Sequence, residues 1–266
     1  MEPEIVYLMY HELEIPGRPL CQSEPGYVRY ILAAADFREQ MQSLKDANWQ
    51  GVSVGEALTF PATPSVTITF DDGCETDLLV AAPILKEFDF GATFYVTSGF
   101  IGTRGYLSAQ QLGGLSGLGF EIGCHSMTHP YLPDLDDTRL HEEVVGAKAQ
   151  LEQILGRPVE HFSCPGGRYD QRVRDVAGEA GYRSVATSRI HANSRSTDSF
   201  GLGRVAIMRG TGLETFTAWC HGRGLWQLTM RDSLRHGARR IFGNSFYDRV
   251  RATALRKGPA QHREKS

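Results

Sequence analysis

A chain of 266 residues, 41% of them hydrophobic, holds enough apolar material for one sizeable core with at most an appendage. A net charge of −3 and an isoelectric point near 6.3 exclude a global electrostatic pull toward nucleic acid. Residues Met1, Glu2, Pro3 and Glu4 are followed by an apolar run at 5–10 that is far too short for a signal peptide or a membrane span. The chain therefore reads as cytoplasmic, though a shortened chain would read the same.

In chain order the pattern is strand, loop, helix, repeated. Residues 5–10 form a short apolar strand. Residues 36–47 carry Phe37, Met41 and Leu44 at helical spacing, with Asp36 placed as an N-cap. Val66, Ile68 and Phe70 alternate with Thr67 and Thr69, a strand that runs straight into Asp71-Asp72-Gly73. Residues 78–88 are helical with Pro83 near the first turn, and 92–96 is the next strand. Ser108 and Gln111 make a capping box for a helix reaching Leu118. The strand at 120–123 delivers His125. The long amphipathic helix at 138–155 stops at Gly156 with Pro158 beyond. A strand at 161–164 leads into Pro165-Gly166-Gly167, Asp170 caps a helix to Ala180, and strands follow at 184–187 and 205–208. Strands alternating with helices predict a parallel sheet with crossover helices, and the chemically loaded segments each follow a strand, as on the C-terminal rim of a barrel.

The charge is uneven. From Arg231 to the end there are ten Lys/Arg against three Asp/Glu, a basic tail on an acidic body. A solvated helical face is the plain reading; peripheral contact with an anionic membrane or a lipid-linked glycan is the sharper one. Five cysteines, an odd number without Cys-x-x-Cys spacing, argue against a disulfide framework. Cys124 precedes His125 and, in a strand, points to the opposite face.

Thr69-Phe70-Asp71-Asp72-Gly73 and His125-Ser126-Met127-Thr128-His129 carry the chemistry. Two imidazoles and one carboxylate make a three-ligand metal site with open positions, leaving a second carboxylate to accept a proton. His125 and His129, four apart, share a face if the segment makes a helical turn. Alone, Asp-Asp-Gly is often a turn and His-x3-His recurs by chance. Joined in this order after strands, they define a site.

These residues resemble the first two motifs of the NodB-homology polysaccharide deacetylases, carbohydrate esterase family 4, and Phe162-Ser163-Cys164-Pro165-Gly166-Gly167 resembles the third. The similarity covers about residues 5–208. It implies a distorted (β/α)7-type barrel over 1–212, with 213–266 as a helical, basic C-terminal extension. It implies a metal-dependent hydrolase that removes N-acetyl groups from an N-acetylated sugar polymer or glycan precursor, by attack of metal-activated water. Carried over residue by residue, Asp71 is the general base, Asp72, His125 and His129 bind Zn²⁺ (or Co²⁺ or Ni²⁺), and Pro165, Gly166, Gly167 and Arg168 form the oxyanion and substrate-binding loop.

Three departures stand out. The third motif usually opens with an Arg that buttresses the catalytic Asp; here Ser163 stands there, with Arg168 either a substitute or a surface residue. No Leu-x-His segment is found late in the chain, and His221 lacks a preceding strand. Instead Met9-Tyr10-His11 resembles the exopolysaccharide deacetylase branch, whose circularly permuted order puts the catalytic His first, making His11 the general acid. The fourth motif is not evident; Asp198 is left unassigned, and His191 is an alternative acid or a loop residue. Tyr10, Tyr131 and Tyr169 stack on sugars or simply pack. Two further readings stay open: hydrolysis of a non-sugar small amide on the same fold, and a degenerate carbohydrate-binding protein.

Overall fold

The structure, a computed structural model, describes residues 4–61 and 63–230. The basic stretch 231–266 lies outside the described residues, and with it the expected membrane contact and most of the expected extension. Eleven strands are described: β1 (Glu4–Tyr10), β2 (Leu13–Glu14), β3 (Leu32–Ala33), β4 (Gln50–Val52), β5 (Ser65–Phe70), β6 (Thr93–Val96), β7 (Glu121–Cys124), β8 (His161–Ser163), β9 (Ser184–Ala186), β10 (Asn193–Ser194) and β11 (Val205–Ala206). The main sheet runs β10-β1-β5-β6-β7-β8-β9, with β4 beside the first half of β5 and β11 beside β1. Every pairing in it is parallel except β1 with β10. The sheet curls into a distorted β/α barrel. Its two ends meet through one segment, in which Leu202 bridges to Ala186 of β9 while Val205 and Ala206 pair with Leu8 and Met9 of β1.

The period-2 alternation sorts the strands into two faces. Val6, Leu8 and Tyr10 of β1 and Val66, Ile68 and Phe70 of β5 join the helix residues Phe37, Met41, Leu85, Leu112 and Leu151 in the outer core. Ile5 and Tyr7 of β1 share a second cluster with Tyr95 of β6 and Ala186 of β9, strands from distant parts of the sheet, so this face is the inside of the curl. Thr67 and Thr69 alternate with the outer residues and are fully buried on the inner face. Register aligns Tyr10, Phe70 and Phe94 across three strands. Their rings stack with centroids 5.3 and 5.0 Å apart, and Phe120 closes on Phe94 edge-on at 5.4 Å.

Most helix ends fall where the sequence places them. Ser108 and Gln111 form the reciprocal capping box of the helix Ala109–Gly117, Asp170 caps Gln171–Glu179, and Gly156 ends Ala147–Leu155 with a left-handed φ of +66°. The expected cap at Asp36 is corrected: the helix is Ala34–Asp46, capped at Ala33 with no side-chain bond. The cause is tertiary, because β3 pairs with β2 and the chain leaves that strand directly into the helix. The long helix is interrupted by a wide π-helical turn at Glu142–Gly146, between Asp137–His141 and Ala147–Leu155. The helix Leu213–Cys220 lays Phe216 and Cys220 into the same outer core. No helix among the described residues is long and apolar enough to cross a membrane.

Phe94 is fully buried between two aromatic neighbours. Phe94→Ala is expected to cost about 3–5 kcal/mol, and Phe94→Leu clearly less, in urea unfolding followed by circular dichroism.

Candidate metal centre and active site

β5 ends at Phe70, and Asp71 continues the inward face of Thr67 and Thr69; its N–H still donates to the Tyr10 carbonyl at 3.0 Å. On a regular strand Asp72 would face the other way. Instead Asp72 adopts φ +84° and Gly73 φ +80°, which breaks the alternation. A side chain at Gly73 would also place its Cβ 2.9 Å from Val96. Both carboxylates thus reach one imidazole: His125 Nε2 lies 3.8 Å from Asp71 Oδ2 and 3.6 Å from Asp72 Oδ1.

His125 leaves β7 with its N–H on the Val96 carbonyl at 2.9 Å. Its Nδ1 lies 2.8 Å from the Ser163 carbonyl. A carbonyl only accepts, so Nδ1 carries the hydrogen and Nε2 turns its lone pair toward Asp72. The expected helical turn over 125–129 is not what brings the second imidazole in. Ser126 and His129 both take left-handed φ, +64° and +63°, in an irregular loop. Buried Glu143 fixes that loop, accepting from the N–H groups of Met127 (2.9 Å) and Thr128 (2.8 Å) and from the Thr128 hydroxyl. Ser126 Oγ accepts the His129 N–H at 3.0 Å. His129 Nε2 ends 3.5 Å from Asp72 Oδ1.

The donor set fits a divalent transition metal. The ligand atoms of Asp72, His125 and His129 all lie within 4.8 Å of one another. Donors sharing one tetrahedral centre at about 2.0–2.2 Å stand about 3.4 Å apart, close to the 3.5 and 3.6 Å found here. Asp72 Oδ1, the atom facing both imidazoles, is buried without a hydrogen-bond partner, as a ligand oxygen would be.

Asp71 has a partner that the sequence reading missed. Arg204, 1% exposed, reaches it bidentately with Nη1 on Oδ1 at 2.7 Å and Nη2 on Oδ2 at 2.8 Å. Nη2 also donates to Ser163 Oγ at 2.7 Å and Nε to the Thr187 carbonyl at 3.1 Å, while the guanidinium sits 5.5 Å from the Tyr95 ring centre. The small Ser163 leaves room for a guanidinium arriving from the opposite strand. Arg168 is not the buttress: its guanidinium lies 3.4 Å over the Tyr131 ring and 3.6 Å from Asp134. The signal for Arg204 was faint, one charge between Gly203 and Val205-Ala206-Ile207 at the edge of the last strand.

Burial by itself would raise the Asp71 carboxyl, but the Arg204 guanidinium, aided by His125, holds it well below the usual carboxylate range. Burial pushes His125 down to about 4 against the pull of Asp71. His11, at the end of β1, is lowered by burial and partly restored by Asp72 and Asp71. Its ring lies 4.8 Å from that of Tyr30, and its buried Nδ1 has no hydrogen-bond partner. The third-motif loop forms a tight turn in which Gly167 N–H donates to Cys164 (2.8 Å) and Arg168 N–H to Pro165 (3.3 Å). Gly166 stands at its apex with φ +59°. At Gly167, φ +66°, a Cβ would sit 2.6 Å from the Ser188 backbone nitrogen.

The remaining candidates lie apart. His221 packs edge-on against Trp49, and Tyr10 is a core residue donating to Gln40 at 2.8 Å. Tyr169, Arg174, His191 and Asp198 line a separate cleft of about 450 Å³ that contains none of the Asp and His cluster.

Two outcomes test this centre. Arg204→Met leaves a buried carboxylate uncompensated and is expected to cost about 3–5 kcal/mol in urea unfolding; Arg204→Met combined with Asp71→Asn should cost less than Arg204→Met alone. The metal-free chain should also lose stability as pH falls from 6.5 toward 4. The unfolded chain protonates His125 near its ordinary 6.5 and the folded chain only at about 4, a penalty on the order of 3 kcal/mol. The contribution of Asp71, whose carboxyl is depressed, is lost only below its ordinary 3.8. Melting temperatures at pH 7 and 4.5 should therefore differ less in His125→Asn than in the unaltered chain.

Compared with known proteins, residues 61–185 match the family described as polysaccharide deacetylase. A peptidoglycan-N-acetylglucosamine deacetylase of Bacillus cereus is 32% identical over 124 residues, covering 46% of this chain and 56% of its own. A chitooligosaccharide deacetylase of Azorhizobium caulinodans is 34% identical over 127 residues, covering 47% and 58%. The chain thus spans little more than half the length of these two relatives. The Streptococcus pyogenes deacetylase PplD, solved in complex with acetate, shares the fold with a TM-score of 0.75 over 83% of this chain and 99% of that one, at 24% identity. Asp71, Asp72, His125 and His129 all lie inside the span, 61–185, that matches the polysaccharide deacetylase family.

Proposed function

We propose that the chain is a metal-dependent N-deacetylase of an N-acetylated sugar polymer or glycan precursor, with Asp71 as general base and His11 as general acid. The observation that carries this reading is the division of labour between adjacent carboxylates. Asp71 is clamped by Arg204, whereas the Asp72 oxygen facing two imidazoles has no partner. One carboxylate is held ionised for proton transfer and the other is left for a cation.

A divalent ion held by Asp72, His125 and His129 would supply Lewis acidity, lowering the pKa of water and polarising the acetyl carbonyl. Neutral imidazoles with a carboxylate suit Zn²⁺, with Co²⁺ and Ni²⁺ as alternatives. Asp71 then accepts the proton of the attacking water at a carboxylate oxygen. Arg204 and Ser163 orient that carboxylate and keep it anionic. The N–H of Gly166, at the apex of the turn, is the backbone donor offered to the oxyanion. His11 delivers a proton to the departing amine nitrogen, so that acetate and a free amine leave. Because burial lowers the His11 pKa, the protonated ring is scarce at neutral pH and must be replenished in each turnover.

The first strand takes the place that a late His motif would fill, because β11 docks beside β1 at the closure of the sheet. The names of the two curated relatives point to N-acetylglucosamine as the sugar. Arg204 supplies the guanidinium whose usual place is held by Ser163, which supports this reading over a non-sugar amide hydrolase or a degenerate carbohydrate-binding protein.

Acetate release from N-acetylglucosamine oligomers tests the reading. Activity should vanish on chelation and return with Zn²⁺. Asp71→Asn should lower turnover about 10²–10⁴-fold while the Asp72, His125 and His129 site still binds metal. Turnover that survives either treatment refutes the assignment.

A further inference from the structure

A second cluster of donors lies behind the Asp71 and Asp72 loop. Glu12 follows His11, Cys74 follows Gly73, and Cys21 comes from the segment between β2 and the helix Pro25–Val28. Their donor atoms all lie within 4.8 Å of one another, and the two sulfurs are 3.4 Å apart. The Tyr27 hydroxyl stands 3.1 Å from Glu12 Oε2 and 3.3 Å from Cys74 Sγ, and the Gly105 carbonyl 3.0 Å from Cys21 Sγ. Glu12 and Cys74 are buried and Cys21 is half-buried.

A buried acid without a partner stands one turn from this cluster. Asp77, 1% exposed and one helical turn beyond Cys74, has no hydrogen-bond partner on either carboxylate oxygen. Burial first, then the negative potential of Cys21, Asp72 and Glu12, opposes its ionisation. Asp71 is answered by buried Arg204, but the cation whose field reaches Glu12 is Arg18, which is itself paired with Glu75. Sulfur and oxygen donors gathered this closely in a largely buried place, with an unpartnered carboxyl one turn away, are a set that a cation can draw together.

We infer that Glu12, Cys21 and Cys74 form a second metal site, distinct from the Asp72, His125 and His129 centre and suited to a thiophilic divalent ion such as Zn²⁺. Two sulfurs bonded at about 2.3 Å to one tetrahedral centre stand about 3.8 Å apart. The 3.4 Å found here needs only a small opening, whereas a disulfide at about 2.05 Å needs a closure of more than 1 Å. On binding, the two thiols release their protons to solvent as the metal–sulfur bonds form, with no change of oxidation state. The site joins the segment after β1, which carries His11, to the loop after β5, which carries Asp71 and Asp72. Its role is that of a structural brace between the proposed acid and base.

Cobalt titration of the full chain, reduced and stripped by chelator, tests this independently of activity. Two equivalents should bind, and one of them should give the near-ultraviolet sulfur-to-cobalt charge-transfer band that a site of imidazole and carboxylate lacks. Cys21→Ser and Cys74→Ser should each lose that band and one equivalent. His129→Ala should lose the other equivalent and keep the band. A single equivalent without the band in the unaltered chain overturns the inference, and needs no variant to fold. So does a band that persists in Cys21→Ser. Loss of two hydrogens by mass under oxidised glutathione, in a chain that binds only one equivalent, would identify the pair as a disulfide and equally overturn it.

Discussion

The fold turns on one buried contact, the bidentate pair of Arg204 and Asp71. A guanidinium 1% exposed is tolerable inside a barrel only if its donors are met. Here Asp71, Ser163 and the Thr187 carbonyl meet them, drawing on the ends of β5, β8 and β9. β8 and β9 pair directly, but β5 is joined to them only through β6 and β7, so the pair draws separate walls of the curl together. It also explains why Thr67, Thr69 and Thr93 occupy the inner face: small hydroxyl-bearing side chains leave room for a polar interior that larger apolar residues would fill.

Around this fixed point the proposed ligands are held by strained backbone. Six non-glycine residues among those described have positive φ, and three of them are Asp72, Ser126 and His129. Such conformations cost of order 1–3 kcal/mol each and persist only where the surroundings impose them. The surroundings are visible here. Thr97 N–H donates to the Asp72 carbonyl, Ser98 and Gly99 N–H groups hold the carbonyls of Ser126 and Met127, and Glu143 holds the next two N–H groups from a π-helical turn. The wide turn breaks the long helix at the residue that clamps the histidine loop. Irregularity in the scaffold and in the site thus meet at one carboxylate.

What the sequence disclosed and what it hid divide by range of interaction. The alternation of Val66, Ile68 and Phe70, the capping box of Ser108 and the cap at Asp170 depend on neighbours a few residues away, and they are found where the pattern put them. Asp36 misled because an unforeseen pairing of β3 with β2 starts the helix earlier. The spacing of His125 and His129 revealed the donors but not their path, since left-handed residues and Glu143, rather than a helical turn, set the geometry. Arg204 lies 133 residues from Asp71, and no local pattern relates them. Ser163 was legible as a departure, but its meaning, a space vacated for Arg204, needed the structure.

That range has a consequence for how the site comes to exist. Asp71, Asp72, His125 and His129 all follow the ends of β5 and β7, strands joined through β6, and can assemble once that half of the sheet forms. The proposed base does not gain its guanidinium until the 202–206 segment docks, bridging β9 at Leu202 and β1 at Val205 and Ala206. Before that, Asp71 would face a low-dielectric interior without a partner, a state that favours its protonated form. The same docking brings the last strand beside the first, whose end carries His11. The pairing of Tyr10 with Phe70 already sets His11 beside Asp71, so what closure of the barrel adds is the guanidinium that keeps the proposed base ionised, and the contact that makes the interior polar is also the one that closes it.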